Sequence, residues 1–198
     1  MEYLFALFAN LGCTGSSVGW IFVHRAHHKF SDKPGDPHSP FVYGRIGAMI
    51  GQYGGAFDKW VVRDIIKMPV HKFYHNYYNI IITLVPLLFY ALGIEYFIFL
   101  FAVPVFLNTV ASRMSNWIDH EPLFGRREYN SKDYSRNVWW WSVLTFGEGW
   151  HNNHHGRPGS YKFGIKWYQV DVGRYVIEIL VFLKLARLRS SKLNESSY

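Results

Sequence analysis

The longest apolar stretch of the chain runs from Ile80 to Leu107, where only Thr83 and Glu95 are clearly polar. As one helix it would be about 42 Å long, against roughly 30 Å of bilayer hydrocarbon. Gly93-Ile94-Glu95 offers a turn near its middle. The pattern therefore predicts two spans, about Tyr77–Leu92 and about Tyr96–Trp117, forming a transmembrane hairpin over about 77–117. Phe73, Tyr74, Tyr77 and Tyr78 precede it as an interfacial aromatic belt. By composition alone, a buried helical pair in a soluble protein remains the alternative.

The flanks are patchier. Met1–Val23 is apolar but interrupted by Asn10, Gly12 and Thr14 to Ser17, and it lacks the basic start of a secretory signal. It predicts a helix packed in an aqueous cap or at the membrane face, with a third span as the alternative. Residues 36–50 read as a turn and loop, followed by an interfacial helix to about Lys67. Lys166–Arg189 has apolar residues at helical spacing and basic ends, which predicts an amphipathic helix on the cytoplasmic side. Arg189–Tyr198 reads as a frayed tail. The 198 residues suit a single domain, 1–198, with a cap drawn from 1–72 and 118–190.

Composition supports this division. Apolar residues make up 49% of the chain and aromatics 19%, yet the mean hydropathy is near zero, so the apolar residues are concentrated. No Lys or Arg lies between Lys72 and Arg113, and both outer flanks are basic, which places both on the cytoplasmic side. Two spans return the chain to the side it left, so both flanks can share one cap. The net charge of +7 suits anionic lipid or an acidic partner; no nucleic-acid motif is present, and nucleic acid is not an expected partner. Cys13 is the only cysteine, which excludes an internal disulfide and a CxxC metal site.

Histidine supplies the candidate chemistry. His24, His27 and His28 read HRAHH, and His151, His154 and His155 read HNNHH. Both sets have the spacing i, i+3, i+4, which on a helix shares one face. Neutral imidazole is a common metal ligand. Zinc is normally satisfied by four ligands, so six or more histidines suggest two metals. There is no HEXXH motif, and nitrogen-rich sites suit iron, copper or zinc. Between the sets, Asn116-Trp117-Ile118-Asp119-His120 brings an amide and a seventh imidazole to the end of the second span. Solvated histidine-rich turns and a structural zinc site are the bland alternatives.

The segments HRAHHKFSDKPGDPHSP, NWIDH with the following FGRREY, and LTFGEGWHNNHH resemble the membrane fatty acid desaturases, in the acyl-CoA and acyl-lipid Δ9 class. The resemblance implies an all-α integral membrane protein whose cytosolic helical cap holds a histidine-rich di-metal site. It implies two irons ligated by His24, His27, His28, His120, His151, His154 and His155, with Asn116 approaching one metal through water. No separate catalytic acid or base is implied. The expected reaction is O2-dependent insertion of a cis double bond into a saturated acyl chain. Its partners are a fatty acyl-CoA or acyl-lipid, membrane lipid, and an electron carrier such as cytochrome b5 or ferredoxin. The expected membrane is the endoplasmic reticulum of a eukaryote, or the inner or thylakoid membrane of a bacterium.

Two departures qualify the expectation. The family's earlier HxxxxH box has no counterpart here, so the chain is expected to be a C-terminal portion of such an enzyme. The spacing after NWIDH is also longer than usual. A membrane di-iron lipid hydroxylase and an inactive or split fragment stay open as alternatives. Asp32, Asp36, His38 and Glu148 are candidates to orient ligating rings. Arg25, Ser112 and Trp150 are candidates to meet the substrate. His71 and His75 are expected to face the membrane surface.

Overall fold

The computed structural model describes residues 1–51 and 58–188. Among them there is no strand; two isolated bridges join Asn137 to Arg126 and to Trp150. The chain divides into two compact units, Met1–His27 with Tyr53–Arg113, and His28–Gln52 with Met114–Tyr198.

In the first unit the expected single helix over Met1–Val23 is two helices, α1 (Glu2–Leu11) and α2 (Ser17–Phe30). The break is a backbone effect. Cys13 and Gly15 both have positive φ, a conformation that ends a right-handed helix. Buried Asn10 fixes the corner: its Nδ2 donates to Ala6 O, and its Oδ1 accepts from Ser17 N–H. A 3-10 turn (Lys59–Val62) and the short α4 (Arg63–Ile66) stand where a longer interfacial helix was expected. The rest of that expectation, residues 52–57, lies outside the described residues.

Helix α5 (Pro69–Asn76) opens on a proline, which suits a first helical turn because its missing N–H needs no partner. Val70 and Tyr74 on α5 bury with Ala6, and the Tyr74 hydroxyl donates to Tyr3 O. His71 and His75 turn inward, hydrogen-bonding Ser17 Oγ at 3.0 Å and Ser16 Oγ at 2.8 Å rather than facing lipid. The Tyr78 hydroxyl accepts from Gly15 N–H. These contacts clamp the start of α2.

Helix α6 (Tyr78–Leu92) stops at Gly93, and α7 (Ile94–Ile118) follows, with a π-turn at Ile98–Ala102. Gly93 has φ 150°, which a residue with a Cβ rarely adopts. The 25 residues of α7 extend about 37 Å and are apolar enough to cross a membrane. The 15 residues of α6 extend only about 22 Å. Of the two spans expected, one helix reaches full length; α6 falls short of it by itself.

In the second unit, α3 (Pro40–Ile50) occupies much of the expected 36–50 loop. Ser39 caps it by accepting from Phe41 N–H, Pro40 opens it, and Gly44 at φ 70° kinks it. The turn that was read over this stretch ends at Ser39. Helices α8 (Trp139–Leu144) and α9 (His151–Gly156) are short. Ile118, Val138 and Trp141 form their apolar core, and Trp141 Nε1 donates to Ser115 Oγ.

The last helix, α10 (Val172–Phe182), is shorter than the expected Lys166–Arg189. Two polar side chains wind the preceding segment into a loop instead. Gln169 Oε1 accepts from the Ile165 and Lys166 amides, and Asp171 Oδ2 accepts from those of Phe163 and Gly164. Asp171 Oδ1 then caps α10 through Arg174 N–H. The expected tail Arg189–Tyr198 lies outside the described residues.

Candidate metal centre

Helix α2 carries the HRAHH set in helical register, so His24, His27 and His28 share one face. His24 stacks on Trp20 at 4.6 Å between ring centroids, and His27 is buried. The boundary between the units falls within this helix: His24 and His27 belong to the first unit, His28 to the second.

Within the second unit, histidines from three helices converge. His28 comes from the end of α2, His120 follows the end of α7, and His151, His154 and His155 lie on α9. His28 Nε2 lies 2.8 Å from His154 Nε2. His151 Nε2 lies 3.1 Å from His120 Nε2 and 3.0 Å from His155 Nε2. His120, His151 and His155 each offer a nitrogen within 4.8 Å of the others.

Two carboxylates decide which nitrogens face inward. Asp32 Oδ2 accepts from His120 Nδ1 at 2.8 Å, and Asp133 Oδ2 accepts from His155 Nδ1 at 2.8 Å. Each fixes a tautomer whose Nε2 carries a bare lone pair. Both lone pairs point at His151 Nε2. A single proton there satisfies one of the two contacts and leaves the other repulsive; a metal cation satisfies all three nitrogens. The donor set, three imidazole nitrogens converging on one point, fits a metal that accepts nitrogen ligands.

The electrostatics favour a neutral His28 ring and an ionised Asp32. Burial pulls the His28 imidazole down to about 4, which keeps it neutral, the form that binds metals. Burial opposes ionisation of Asp32, but hydrogen bonds from His120, the Tyr134 amide and Ser39 outweigh it and hold its carboxyl below the usual range. Burial pushes Asp36 up, against amide hydrogen bonds from His38 and Asp32. Fully buried Asp119 is held well above the ordinary carboxylate range by burial and by the nearby charge of Glu148.

Other residues singled out in the sequence make other contacts. Asn116 Nδ2 donates to Ala48 O at 3.3 Å. Asp36 binds the Asp32 and His38 amides and so shapes the turn that presents Asp32. His38 Nδ1 is 4.0 Å from Asp36 Oδ1. Glu148 lies close enough to buried Asp119 for their charges to repel, and burial pushes its own carboxyl up; Ser112 is half-buried on α7, and buried Trp150 donates its indole N–H to Val170 O. Arg25 makes a bidentate pair with Asp64 and also binds Val61 O.

Sequence reasoning missed the residues that hold α9 in place. Asn152 Oδ1 accepts from the Glu128 and Tyr129 amides, and its Nδ2 reaches Tyr129 O, Ser131 Oγ and Ser135 Oγ. Asn153 is paired with Asn137, Phe163 O and Gln169. Asp133 was missed too, because nothing in its spacing links it to His155. The only available signal for the two asparagines was their place between the histidines of the HNNHH set.

The comparisons agree with this geometry. The family model described as fatty acid desaturase matches residues 2–172. The chain is 34% identical over 200 residues to the sn-1 stearoyl-lipid 9-desaturase of Synechocystis sp., covering 94% of this chain and 60% of that protein. It is 35% identical over 193 residues to the sn-1 stearoyl-lipid 9-desaturase of Anabaena variabilis, covering 94% of this chain and 70% of that one. It is 32% identical over 201 residues to Delta-9 acyl-lipid desaturase 1 of Arabidopsis thaliana, covering 94% and 63%. The chain thus spans between three-fifths and seven-tenths of these relatives. With its histidine sets inside the matched region, the chain belongs to the fatty acid desaturase family.

Proposed function

We propose that the protein is a Δ9-type fatty acyl desaturase. It would convert a saturated CH2–CH2 unit, O2, two electrons and two protons into a cis CH=CH unit and two waters. The observation that carries this reading is the meeting of His120, His151 and His155 through nitrogens whose tautomers are set by Asp32 and Asp133.

The proposed ligands are His28, His120, His151, His154 and His155, joined by His24 and His27 from the same face of α2, with Asn116 acting through water. Bound iron would supply, with O2 and external electrons, the oxidising power that an unactivated methylene requires and that side-chain acids and bases lack. The protein's own work is positional. Asp32 and Asp133 keep two rings aimed inward, and Asn152 and Asn153 hold the helix that bears three of them. Position along the acyl chain would then be chosen by how the substrate is held, since reaction demands close, oriented approach.

In this reading α6 and α7 form a transmembrane hairpin, with both basic flanks and the histidines on the cytoplasmic side. The substrate would be a fatty acyl-lipid or acyl-CoA, and the electrons would arrive from a small carrier protein. The three relatives named above are Δ9 acyl-lipid or stearoyl-lipid enzymes, which supports the acyl-lipid choice and the position, although a delta-7 desaturase of Arabidopsis thaliana and an acyl-CoA C20 Delta5-desaturase of Anemone leveillei match at similar identity.

The test is product analysis. The iron-loaded full chain is placed in vesicles containing stearoyl-lipid, with a reduced electron carrier and O2. Released acyl chains are derivatised and their double bonds located by mass spectrometry. A 9,10-alkene is the expected product. Hydroxylated chains without alkene would assign a lipid hydroxylase instead.

A further inference from the structure

Helix α10 presents an apolar face that nothing described in the chain covers. Val172, Tyr175, Val176, Ile179, Phe182 and Leu183 are all exposed, Phe182 to 84%. Their steps of three and four residues place them on one side of the helix. Ile177, Leu180 and Val181 are half-buried on another side. Arg174 and Lys162 both pair with Glu178, and Arg174 also donates to Gly164 O, which pins the polar face to the preceding loop. The orientation of the helix is therefore fixed, with the apolar stripe turned outward.

The stripe continues beyond α10. Val172 N–H donates to Phe146 O, which brings exposed Phe146 beside the start of α10, with exposed Leu144 close before it at the end of α8. At the other side of Asp171 stands Trp167, 92% exposed, with exposed Tyr168 beside it. Residues 157–188 hold six basic and two acidic side chains. Asp171 is buried, Glu178 pairs with Lys162 and Arg174, and Lys166 pairs with Glu128, so the charge left to face outward comes from Arg157, Lys184 and Arg187 and is positive.

We infer that the α10 face is a second membrane-contact surface, lying in the headgroup region of an anionic bilayer and separate from the α7 span. Eleven residues extend about 16 Å, too short to cross but suited to lying flat. Tryptophan and tyrosine prefer the interface, and exposed Lys184 and Arg187 beyond the end of α10 match anionic headgroups. A second copy on this face would bring like charges to the same rim. The inference rests on the membrane reading of the chain but not on its reaction.

The single cysteine makes the test direct. In the full chain carrying Cys13→Ser, either Ile179→Cys or Leu100→Cys is labelled with an environment-sensitive fluorophore. Each protein is placed in phosphatidylcholine–phosphatidylglycerol vesicles. Emission is then quenched by doxyl-labelled lipid from within the bilayer or by iodide from the water. The label at position 179 is expected to be quenched by shallow doxyl lipid and protected from iodide. Quenching by iodide alone at 179, with the label at 100 still quenched by lipid, would overturn the inference and leave the α7 span intact. Protection from both quenchers, with cross-linking of unlabelled Ile179→Cys chains, would overturn it in favour of a dimer face. Loss of lipid quenching at both positions would overturn it together with the membrane reading.

Discussion

Asp133 and Asp32 each bind a histidine through Nδ1 and thereby decide what its Nε2 can do. Outer hydrogen bonds of this kind typically change metal affinity about 10–100-fold. Asp133→Ala is expected to weaken iron binding by about that factor, and Asp133→Asn, which keeps an acceptor oxygen, should recover part of it. Titration of the apo chain with Fe2+ or Co2+, followed by metal absorption, measures both; equal affinity in all three proteins would remove Asp133 from the account. Asn152 has a different task. Its side chain fills five hydrogen bonds between α9 and the 128–135 segment. Asn152→Ala leaves several of those groups unsatisfied and should cost about 1–3 kcal/mol in unfolding free energy for each buried partner left unpaired. Denaturant unfolding of the apo chain checks this without reference to iron.

At the scale of elements, the third histidine set depends on a close backbone approach. Val138 N–H donates to Gly149 O at 2.7 Å, and a Cβ at Gly149 would press on the backbone of Val138 and Ser142. Gly149→Ala is therefore expected to destabilise the chain by about 1–3 kcal/mol, as overpacking does, and to loosen iron binding as α9 shifts. Retained stability with normal metal uptake would show that this approach is not needed.

The helices around Gly93 and the α9 histidines were legible because apolar runs and i, i+3, i+4 spacing are local signals. The break at Gly12–Gly15 was not: the composition there suits either a helix or a turn, and Asn10 meeting Ser17 decides it. The shortening of α10 had the same origin, since Gln169 and Asp171 bind amides that the periodic pattern assigned to a helix. Asp133 was out of reach for a third reason. It lies 22 residues from His155, and only the folded chain brings the two to 2.8 Å.

At the scale of the molecule, function depends on keeping two chemistries apart. The first unit carries the exposed apolar α6 and α7 as far as Arg113, and the second carries a polar interior of buried Asp, Asn and His side chains. Such an interior is costly unless its groups are paired; here Asp32 and Asp133 pair with imidazoles, while Asn152 and Asn153 pair with backbone and other polar side chains. In the proposed reading, metal binding rests on the histidines that this fold brings together. The most direct measurement is iron K-edge X-ray absorption on the iron-loaded full chain, compared with His151→Ala. The account predicts a coordination shell dominated by imidazole nitrogen, at about 2.0–2.2 Å, that loses nitrogen scatterers in the variant. A shell dominated by oxygen, or a spectrum that His151→Ala leaves unchanged, would contradict it.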